Sequence, residues 1–366
     1  MPDTASAPRP RVLHLVTDAR RRGAQNLARD LHGELLARGR DSRLAALQPH
    51  PDAPAGDPLP VLGPTRFHPA TLRALRRAAA AADVVVAHGS STLPACAAAL
   101  LGSRTPFVYV SIGDPRHWTA DRSRRLRVQA MLSRAAAVAA LTDGAREVLL
   151  ERFRLPSAKV RTIPNGRAAD RYPPADGPMQ RSAARSALGL PEDADLVAAV
   201  GALAPEKRLD LAVEAVTRTP GAHLAVAGEG PLRAALSEHA ETLAPGRVHF
   251  LGNLPDPAPL YRAADALLLS SDSEGVPGVL IEAALAALPS VATDVGWVRE
   301  VVLDGVTGVL APPGDAQALA DGLGKVLGGD RAALGAAARR HALDRFELGV
   351  VVDAWERLLD EVAVLR

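Results

Sequence analysis

The sequence predicts an α/β protein built from two Rossmann-like, doubly wound domains. Several short runs are apolar at every position rather than at alternate positions, as is typical of parallel strands covered on both faces. Amphipathic stretches of helical length separate these runs, and that alternation favours a doubly wound sheet. The chain has 366 residues, which at roughly 150 residues per domain is enough for about two domains.

The first half of the chain contains five predicted strands and two clear helical stretches. The strands are Arg11–Thr17, Asp83–His88, Phe107–Ser111, Ala136–Leu141 and Val160–Ile163, and the helices are Gln25–Arg38 and Asp121–Arg134. Right-handed crossovers between parallel strands bring the loops at the carboxyl ends of the strands to one edge of the sheet. Polar residues in those loops are therefore the first candidates for a functional site.

The second half repeats this organisation after a break in composition. Its predicted strands are Leu196–Val200, Ala222–Ala227, Val248–Leu251, Ala266–Ser270 and Ser290–Thr293, and its helices include Leu209–Arg218 and Leu232–Leu243. The stretch Ala168–Pro178 is rich in proline, aspartate and glycine. We therefore expect a first domain over residues 1–176, a second over 177–345, and a final amphipathic helix over 346–366.

The composition disfavours several classes of function. The formal net charge is only +2, whereas nucleic-acid binding calls for a concentrated basic face. The single cysteine, Cys96, lies in an apolar run, which excludes a disulfide framework and indicates a small buried hydrophobe. No run of roughly 18 apolar residues is found, so we expect a cytoplasmic protein.

The segment Ser270–Ala284 carries the strongest indication of chemistry. A predicted strand runs into the turn Gly275–Gly278, and a helix is expected to begin near Val279. Such a turn presents backbone N–H groups to an anion at a helix N-terminus. Because a carboxylate would repel phosphate, Glu274 is expected to face a sugar and Glu282 a ribose. The alternative is that Glu274 caps the helix and Glu282 is a surface residue.

A second indication comes from the loop after the predicted strand Leu196–Val200. The strand ends at Gly201, and Lys207 and Arg208 follow before the next helix. A diphosphate leaving group needs cations, because negative charge builds up on it as the bond to the sugar breaks. The alternative is that both residues are solvated loop charges.

These segments resemble the retaining GT-B glycosyltransferases of family four, known as group 1. The resemblance rests on SEGVPGVLIEA with its two glutamates, ALAPEKRLDLAVEA, VRTIPNGRAADRYPP, VAGEGPLRAAL, VHFLGNL and TDVGWVREVVLDGVTGVLAPPGD. It covers the second domain almost continuously. In the first domain it is thinner, resting on RRGAQNLARDLHGELLARGR and DVVVAHGSS.

The resemblance implies a hexosyl transfer from a UDP- or GDP-sugar to an acceptor hydroxyl. The second domain would bind the donor and the first the acceptor across a central cleft, with the C-terminal helix crossing back to the first domain. The acceptor attacks the face that the diphosphate leaves, and a leaving phosphate oxygen takes the proton. No metal and no cofactor are implied.

The resemblance also implies roles for individual residues. The expected catalytic residues are Lys207 at the donor diphosphate, Glu274 at the donor sugar and His88 at a sugar hydroxyl. The expected donor-binding residues are Gly201, Arg208, Gly275, Val276, Pro277, Gly278, Glu282, Gly252, Asn253 and Leu254. Arg22 and Gly23 are expected near donor phosphate or acceptor. Pro277 offers no N–H, and His88 can alternatively be structural.

Three positions depart from the family pattern. Ala202 stands where an arginine is usual, so that one of two diphosphate cations is missing and Arg208 is the candidate replacement. The first turn reads Arg22–Gly23, with one glycine of the usual pair lost. Trp297 follows Gly296 in place of a second glycine and is expected to narrow that part of the site.

Other readings of the sequence remain open at this point. Asp193 and Asp195 have the spacing of a metal-binding Asp-x-Asp, but they precede a strand, which favours a turn instead. A nucleotide-sugar epimerase and a weakly active nucleotide-sugar-binding subunit are alternatives on the same fold.

The acceptor is expected to be a sugar, a lipid-linked compound or a small molecule. Cell-envelope polysaccharide or glycolipid assembly is favoured over small-molecule tailoring. The arginine-rich stretch Arg116–Arg134 can contact an anionic membrane from the cytoplasmic side, or form a solvated face.

Overall fold

A computed structural model describes residues 9–20, 23–51, 59–118 and 121–365. The chain divides into two compact units, Met1–Gly166 with Gly349–Arg366, and Arg167–Leu348. Each unit is a parallel sheet flanked by helices, which confirms the predicted fold class. The predicted boundary at 176 lies further along the chain than the observed one. Arg167 already belongs to the second unit, because its N–H donates to the Phe346 carbonyl at 2.8 Å.

The first unit contains a parallel sheet in the order β2-β1-β3-β4-β5-β6. The strands are β1 (Val12–Val16), β2 (Ser42–Ala46), β3 (Val84–His88), β4 (Phe107–Ser111), β5 (Ala137–Ala140) and β6 (Val160–Thr162). The helices before the unit boundary are α1 (Gly23–Ala37), α2 (Pro69–Ala80), α3 (Thr92–Ala99), α4 (Arg122–Arg134) and α5 (Asp143–Phe153). The sequence did not predict β2, an edge strand whose second residue, Arg43, is exposed.

The second unit contains a parallel sheet in the order β12-β11-β10-β7-β8-β9. The strands are β7 (Asp195–Val200), β8 (Ala222–Ala227), β9 (Val248–Gly252), β10 (Ala266–Leu269), β11 (Ser290–Thr293) and β12 (Gly308–Ala311). The helices are α6 (Pro178–Ala187), α7 (Leu209–Thr217), α8 (Arg233–Leu243), α9 (Ala258–Ala263), α10 (Gly278–Leu285), α11 (Ala316–Gly328) and α12 (Arg331–Phe346). The edge strand β12 was also not predicted.

The last helix, α13 (Leu348–Ala363), packs within the first unit. Trp355 on its apolar face is fully buried. Arg40, which is only 6% exposed, reaches Glu356 at 2.5 Å and Asp360 at 2.7 Å. Charged pairs therefore flank the buried face of α13 and fix it against the first unit.

The sheet order locates the places where ligands can bind. In the first unit β1 lies between β2 and β3, and in the second β7 lies between β8 and β10. At such points consecutive connections leave the sheet in opposite directions, so that a crevice opens beyond the carboxyl ends of the strands. The residues singled out in the sequence lie at or beyond the carboxyl ends of β1, β3, β7, β9 and β10.

A helix needs roughly 20 predominantly apolar residues to cross a membrane. No helix in the described part of the chain combines that length with that apolar character.

Candidate active site

Two loops meet at the carboxyl ends of the neighbouring strands β7 and β10. Lys207, after β7, places its Nζ 2.6 Å from Oε1 of Glu274, which follows β10. The same carboxylate oxygen accepts a hydrogen bond of 2.7 Å from the Ser271 hydroxyl. Glu274 has 9% of its side chain exposed and Lys207 has 28%. Two predicted residues that are 67 positions apart therefore form one partly buried ion pair.

Backbone contacts fix the two loops against each other. The Ser270 hydroxyl donates to the carbonyl of Lys207 at 2.9 Å. The N–H of Asp272 donates to the carbonyl of Glu206 at 2.9 Å. Because these bonds involve the main chain, the ion pair is held by the loop conformations and does not depend on the two long side chains alone.

The turn Gly275–Gly278 leads from Glu274 into α10, which begins at Gly278 beside the expected start at Val279. A second turn lies against it. Gly296 has φ 55°, and a Cβ built there would lie 1.8 Å from the Glu274 carbonyl oxygen. The N–H of Trp297 donates to the Gly275 carbonyl at 3.2 Å. The main chain at 296–297 therefore packs against the turn Gly275–Gly278 and restricts its conformation.

Glu282 lies on α10 with both carboxylate oxygens engaged. Oε1 accepts from Nε of Arg167 at 2.9 Å, and Oε2 accepts from the Tyr261 hydroxyl at 2.9 Å. Burial, together with the nearby Glu282 carboxylate, raises the pKa of Tyr261 well above its usual value. Glu282 has 13% of its side chain exposed, so it is not a free surface carboxylate.

Arg208, the expected replacement for the arginine missing at Ala202, is paired with two acids. Its Nη2 lies 2.9 Å from Asp210 and its Nη1 lies 3.3 Å from Asp272. Its backbone adopts φ 45°, which is uncommon for a residue with a side chain. The guanidinium charge is thus compensated by Asp210 in the first turn of α7 and by Asp272 in the loop after β10.

A cavity of about 460 Å³ opens beyond β7, β8 and β9. It is lined by Val200, Gly201, Ala202, Ala227, Gly228, Glu229, Asn253, Leu254 and Pro257. Gly228 has φ 146°, and a Cβ there would lie 1.8 Å from the Gly201 carbonyl oxygen. Its N–H donates to the Gly252 carbonyl at 2.7 Å. Of the expected donor-binding residues, Asn253 and Leu254 line the cavity, and Gly252 is bonded to the lining residue Gly228.

In the first unit, His88 ends β3 and lines a cavity of about 290 Å³ together with Thr17 and Ala24. Its Nε2 lies 3.0 Å from Nδ1 of His14 on β1. Both rings are buried, and burial lowers the pKa of His88 to about 3. Burial, together with the charge of His88, lowers the pKa of His14 well below its usual value.

Two further predicted positions belong to the first turn of that unit. Gly23 is the first residue of α1, next to the cavity residue Ala24. Arg22 lies outside the described residues.

The alternative metal motif is placed at the opposite edge of the second sheet. Asp195 is the first residue of β7 and pairs with Arg331 at 3.1 Å. This agrees with the interpretation of Asp193 and Asp195 as a turn and strand start.

Sequence reasoning missed four residues that shape these sites. A histidine inside the apolar run Val12–Val16 was a signal for His14, and a glycine directly after a strand was one for Gly228. Arg167 and Tyr261 gave no signal, because the contacts that bring them to Glu282 span 115 and 21 positions.

Two protein-family models match this chain. Residues 180–341 match the family model described as "Glycosyl transferases group 1". Residues 21–171 match the model described as "Glycosyltransferase Family 4".

Among curated proteins, the chain is 35% identical over 213 residues to the D-inositol 3-phosphate glycosyltransferase of Mycobacterium avium (strain 104). This match covers 55% of this chain and 49% of the relative. The protein of the same name from Mycolicibacterium smegmatis is 36% identical over 187 residues, covering 48% of this chain and 42% of the relative. The chain thus spans about half the length of these relatives.

Among solved structures, Anabaena Alr3699/HepE in complex with UDP and glucose superposes with a TM-score of 0.82 at 22% identity. That superposition covers 96% of this chain and 100% of the other. Sucrose-phosphate synthase from Thermosynechococcus elongatus gives a TM-score of 0.79 at 22% identity, covering 97% and 100%. At this level of identity the likeness establishes the shared fold.

Proposed function

Since this chain belongs to the group 1 glycosyltransferases of family four, we propose that it transfers a hexosyl group from a UDP- or GDP-sugar to an acceptor hydroxyl, with retention of anomeric configuration. The observation that carries the proposal is the Lys207–Glu274 pair beside a glycine-rich turn, where β7 and β10 adjoin. The solved neighbour HepE is described in complex with UDP-glucose, which supports a nucleotide-sugar donor.

The pair can serve donor and protein together. A lysine ammonium has three N–H donors, so Lys207 can bond Glu274 and a diphosphate oxygen at the same time. Oε2 of Glu274 is then the natural acceptor for a hydroxyl of the donor sugar, because Oε1 is bonded to Lys207 and Ser271. The turn amides bind the phosphates, Glu282 binds the ribose, and the cavity lined by Asn253 takes the base.

In the proposed reaction the acceptor hydroxyl attacks from the side on which the diphosphate leaves. The bond between the anomeric carbon and the phosphate oxygen breaks, the new glycosidic bond forms, and the acceptor proton passes to the leaving phosphate. Lys207 stabilises the charge that accumulates on that phosphate. With a pKa near 3, His88 is neutral at pH 7 and hydrogen-bonds a sugar hydroxyl. No metal or cofactor takes part in this proposal.

For the acceptor we favour a cell-envelope polysaccharide or glycolipid intermediate at the cytoplasmic face of a membrane. Helix α4 carries five arginines and no acidic residue. Among the described residues of this helix, Leu132 is the one that is buried. Such a face is suited to anionic headgroups. The curated relatives are named for D-inositol 3-phosphate, which supports a small-molecule acceptor as the alternative.

The test begins with thermal shifts against a panel of UDP- and GDP-sugars, because a bound donor stabilises the folded state. With the donor found, Lys207→Ala and Glu274→Gln are expected to lower kcat about 100-fold or more. Proton NMR of the product reports the anomeric configuration. Glu214→Gln, which removes an exposed pair with Arg218 on α7, is the matched control and is expected to retain activity.

The proposal fails if no nucleotide sugar stabilises the protein, or if both site variants are as active as the control. Inverted product would remove retention while leaving the transferase assignment intact. Rapid isomerisation of the donor alone would favour the epimerase.

Ala202 favours one second candidate, a weakly active nucleotide-sugar-binding subunit. This candidate is considered because Arg208, which would replace the arginine missing at Ala202, is already paired with Asp210 and Asp272. A large gain in turnover on Ala202→Arg supports this candidate, and no gain counts against it.

A further inference from the structure

Arg167 is a buried cation at the edge of the proposed donor site. It opens the second unit and is 9% exposed. Its Nε bonds Glu282 at 2.9 Å, and its Nη2 lies only 2.2 Å from where a Cβ on Gly278 would stand. A side chain at position 278 would therefore displace this guanidinium, and glycine permits its close approach to the start of α10.

We propose that Arg167 is a donor-binding residue that supplies the second positive charge for the diphosphate, in place of the arginine missing at Ala202. This inference rests on the proposed function and names a further residue of the same site.

The charges of the surrounding loops support the assignment. A nucleoside diphosphate sugar brings about two negative charges, one on each phosphate, to the turn Gly275–Gly278. Lys207 faces the single charge of Glu274, whereas Arg208 shares its charge with two acids, Asp210 and Asp272. With a methyl group at Ala202, the loop after β7 offers the diphosphate little excess positive charge.

Arg167 is a further cation beside the turn and, like Lys207, it faces a single carboxylate, that of Glu282. Lys207 contacts Glu274 just before the turn, and Arg167 contacts Gly278 at its end. The two cations therefore bracket the backbone amides expected to hold the phosphates. A planar guanidinium with its fork of N–H donors matches the geometry of phosphate oxygens.

Arg167 also bonds Glu282, the residue proposed to bind the ribose. Each Glu282 oxygen accepts one hydrogen bond, from Arg167 or from Tyr261, which leaves lone pairs for the ribose hydroxyls. If Arg167 only positioned Glu282, its loss would weaken every ligand that carries ribose. If it binds the diphosphate, its loss weakens UDP or GDP more than the matching nucleoside.

The experiment measures dissociation constants for UDP, GDP, uridine and guanosine by titration calorimetry, with competition against the tighter ligand for the nucleosides. In Arg167→Gln, the affinity for the bound diphosphate is expected to fall about tenfold to a hundredfold more than the affinity for its nucleoside. Tyr261→Phe, which removes the other bond to Glu282, is expected to weaken both ligands by the same factor.

Arg331→Gln is the matched control. It removes an arginine that pairs with Asp195 and Asp265 in the same unit, at the edge of the sheet opposite the proposed site, and should leave both affinities unchanged. Melting curves establish that Arg167→Gln is folded. If Arg167→Gln unfolds at a much lower temperature than the parent, the double variant Arg167→Gln/Glu282→Gln removes both charges of the ion pair. The affinities for UDP and uridine are then compared in that double variant.

Equal losses for diphosphate and nucleoside in Arg167→Gln, or no loss at all, would overturn the inference while leaving the proposed function standing. Absence of any binding of UDP and GDP to the unmodified chain would instead count against the proposed function.

Discussion

Acidification should destabilise the first unit through the buried pair His14–His88. Both imidazoles are buried, and their pKa values lie below 6.5, at about 3 for His88 and well below the usual value for His14. In the unfolded chain both titrate near 6.5. The unfolded state then binds more protons below that pH, so stability is fully present above about pH 6.5 and is lost as the pH falls towards 3.

The size of the effect follows from the unfolded value. One pH unit below 6.5, each buried neutral histidine destabilises the native state by about 1.4 kcal/mol, and one unit above 6.5 by less than about 0.1 kcal/mol. Between about pH 7.5 and about pH 5.5 the pair therefore costs about 2.7 kcal/mol. Carboxylates contribute little here, because their ordinary pKa values lie near 4.

Urea unfolding at the two pH values, followed by tryptophan fluorescence, measures the effect. Trp355 is buried in the first unit and reports its unfolding. His14→Asn should reduce the pH-dependent loss by about 1.4 kcal/mol. His68→Asn, at an exposed cap of α2, is the control and should keep the parent behaviour. If His14→Asn shows the full parental dependence, the buried neutral pair is not its source.

Three more outcomes are expected. Gly228→Ala should destabilise the second unit by about 2–5 kcal/mol in urea unfolding, because Gly228 has a positive φ and its new Cβ would meet the Gly201 carbonyl. Gly246→Ala is the control: Gly246 also has a positive φ but open space around it, so the change should cost about 1–2 kcal/mol. Equal losses of stability in the two variants would contradict the steric account. Tyr261→Phe should cost about 1–2 kcal/mol by leaving one Glu282 oxygen without its donor, and an unchanged melting curve would show that water replaces the hydroxyl. The triple variant Arg124→Ser, Arg125→Ser and Arg127→Ser should bind anionic vesicles about tenfold or more weakly at low salt, as measured by sedimentation. Neutral vesicles are the control, and equal sedimentation of parent and variant would show that α4 is not the membrane contact.

The central strands could be predicted from the sequence, and so could the meeting of Lys207 and Glu274 at one edge of the sheet. Uniformly apolar runs gave the bounds of β4, β8 and β11 without error, because both faces of these strands are covered. The edge strands β2 and β12 were missed, whereas the edge strands β6 and β9 were predicted. In β2 a serine and an arginine interrupt the apolar run. Cys96 is fully buried on α3, as its apolar surroundings indicated.

The remaining parts of the site depend on tertiary placement. Lys207 and Glu274 were each assigned to one site because each follows a predicted strand, but the ion pair between them was not predicted. The bonds of Arg167 and Tyr261 to Glu282 depend on how the segment 167–172 and α9 pack on α10, which no local pattern encodes. Arg208 was assigned to the diphosphate because it lies in a loop at the end of a strand. Its pairing with Asp272 was not foreseen, because the two residues are 64 positions apart in the sequence.

The close main-chain approaches at Gly228 and Gly296 limit how the proposed nucleotide pocket can be altered. At each glycine a Cβ would lie 1.8 Å from a carbonyl oxygen of a neighbouring loop. A larger residue or an insertion at either point would therefore displace that loop. Variation of the proposed pocket is confined to residues that line it, such as Ala202, Glu229 and Asn253. A directed library restricted to these positions should retain folding in most members, whereas one that includes Gly228 or Gly296 should consist mainly of unfolded variants.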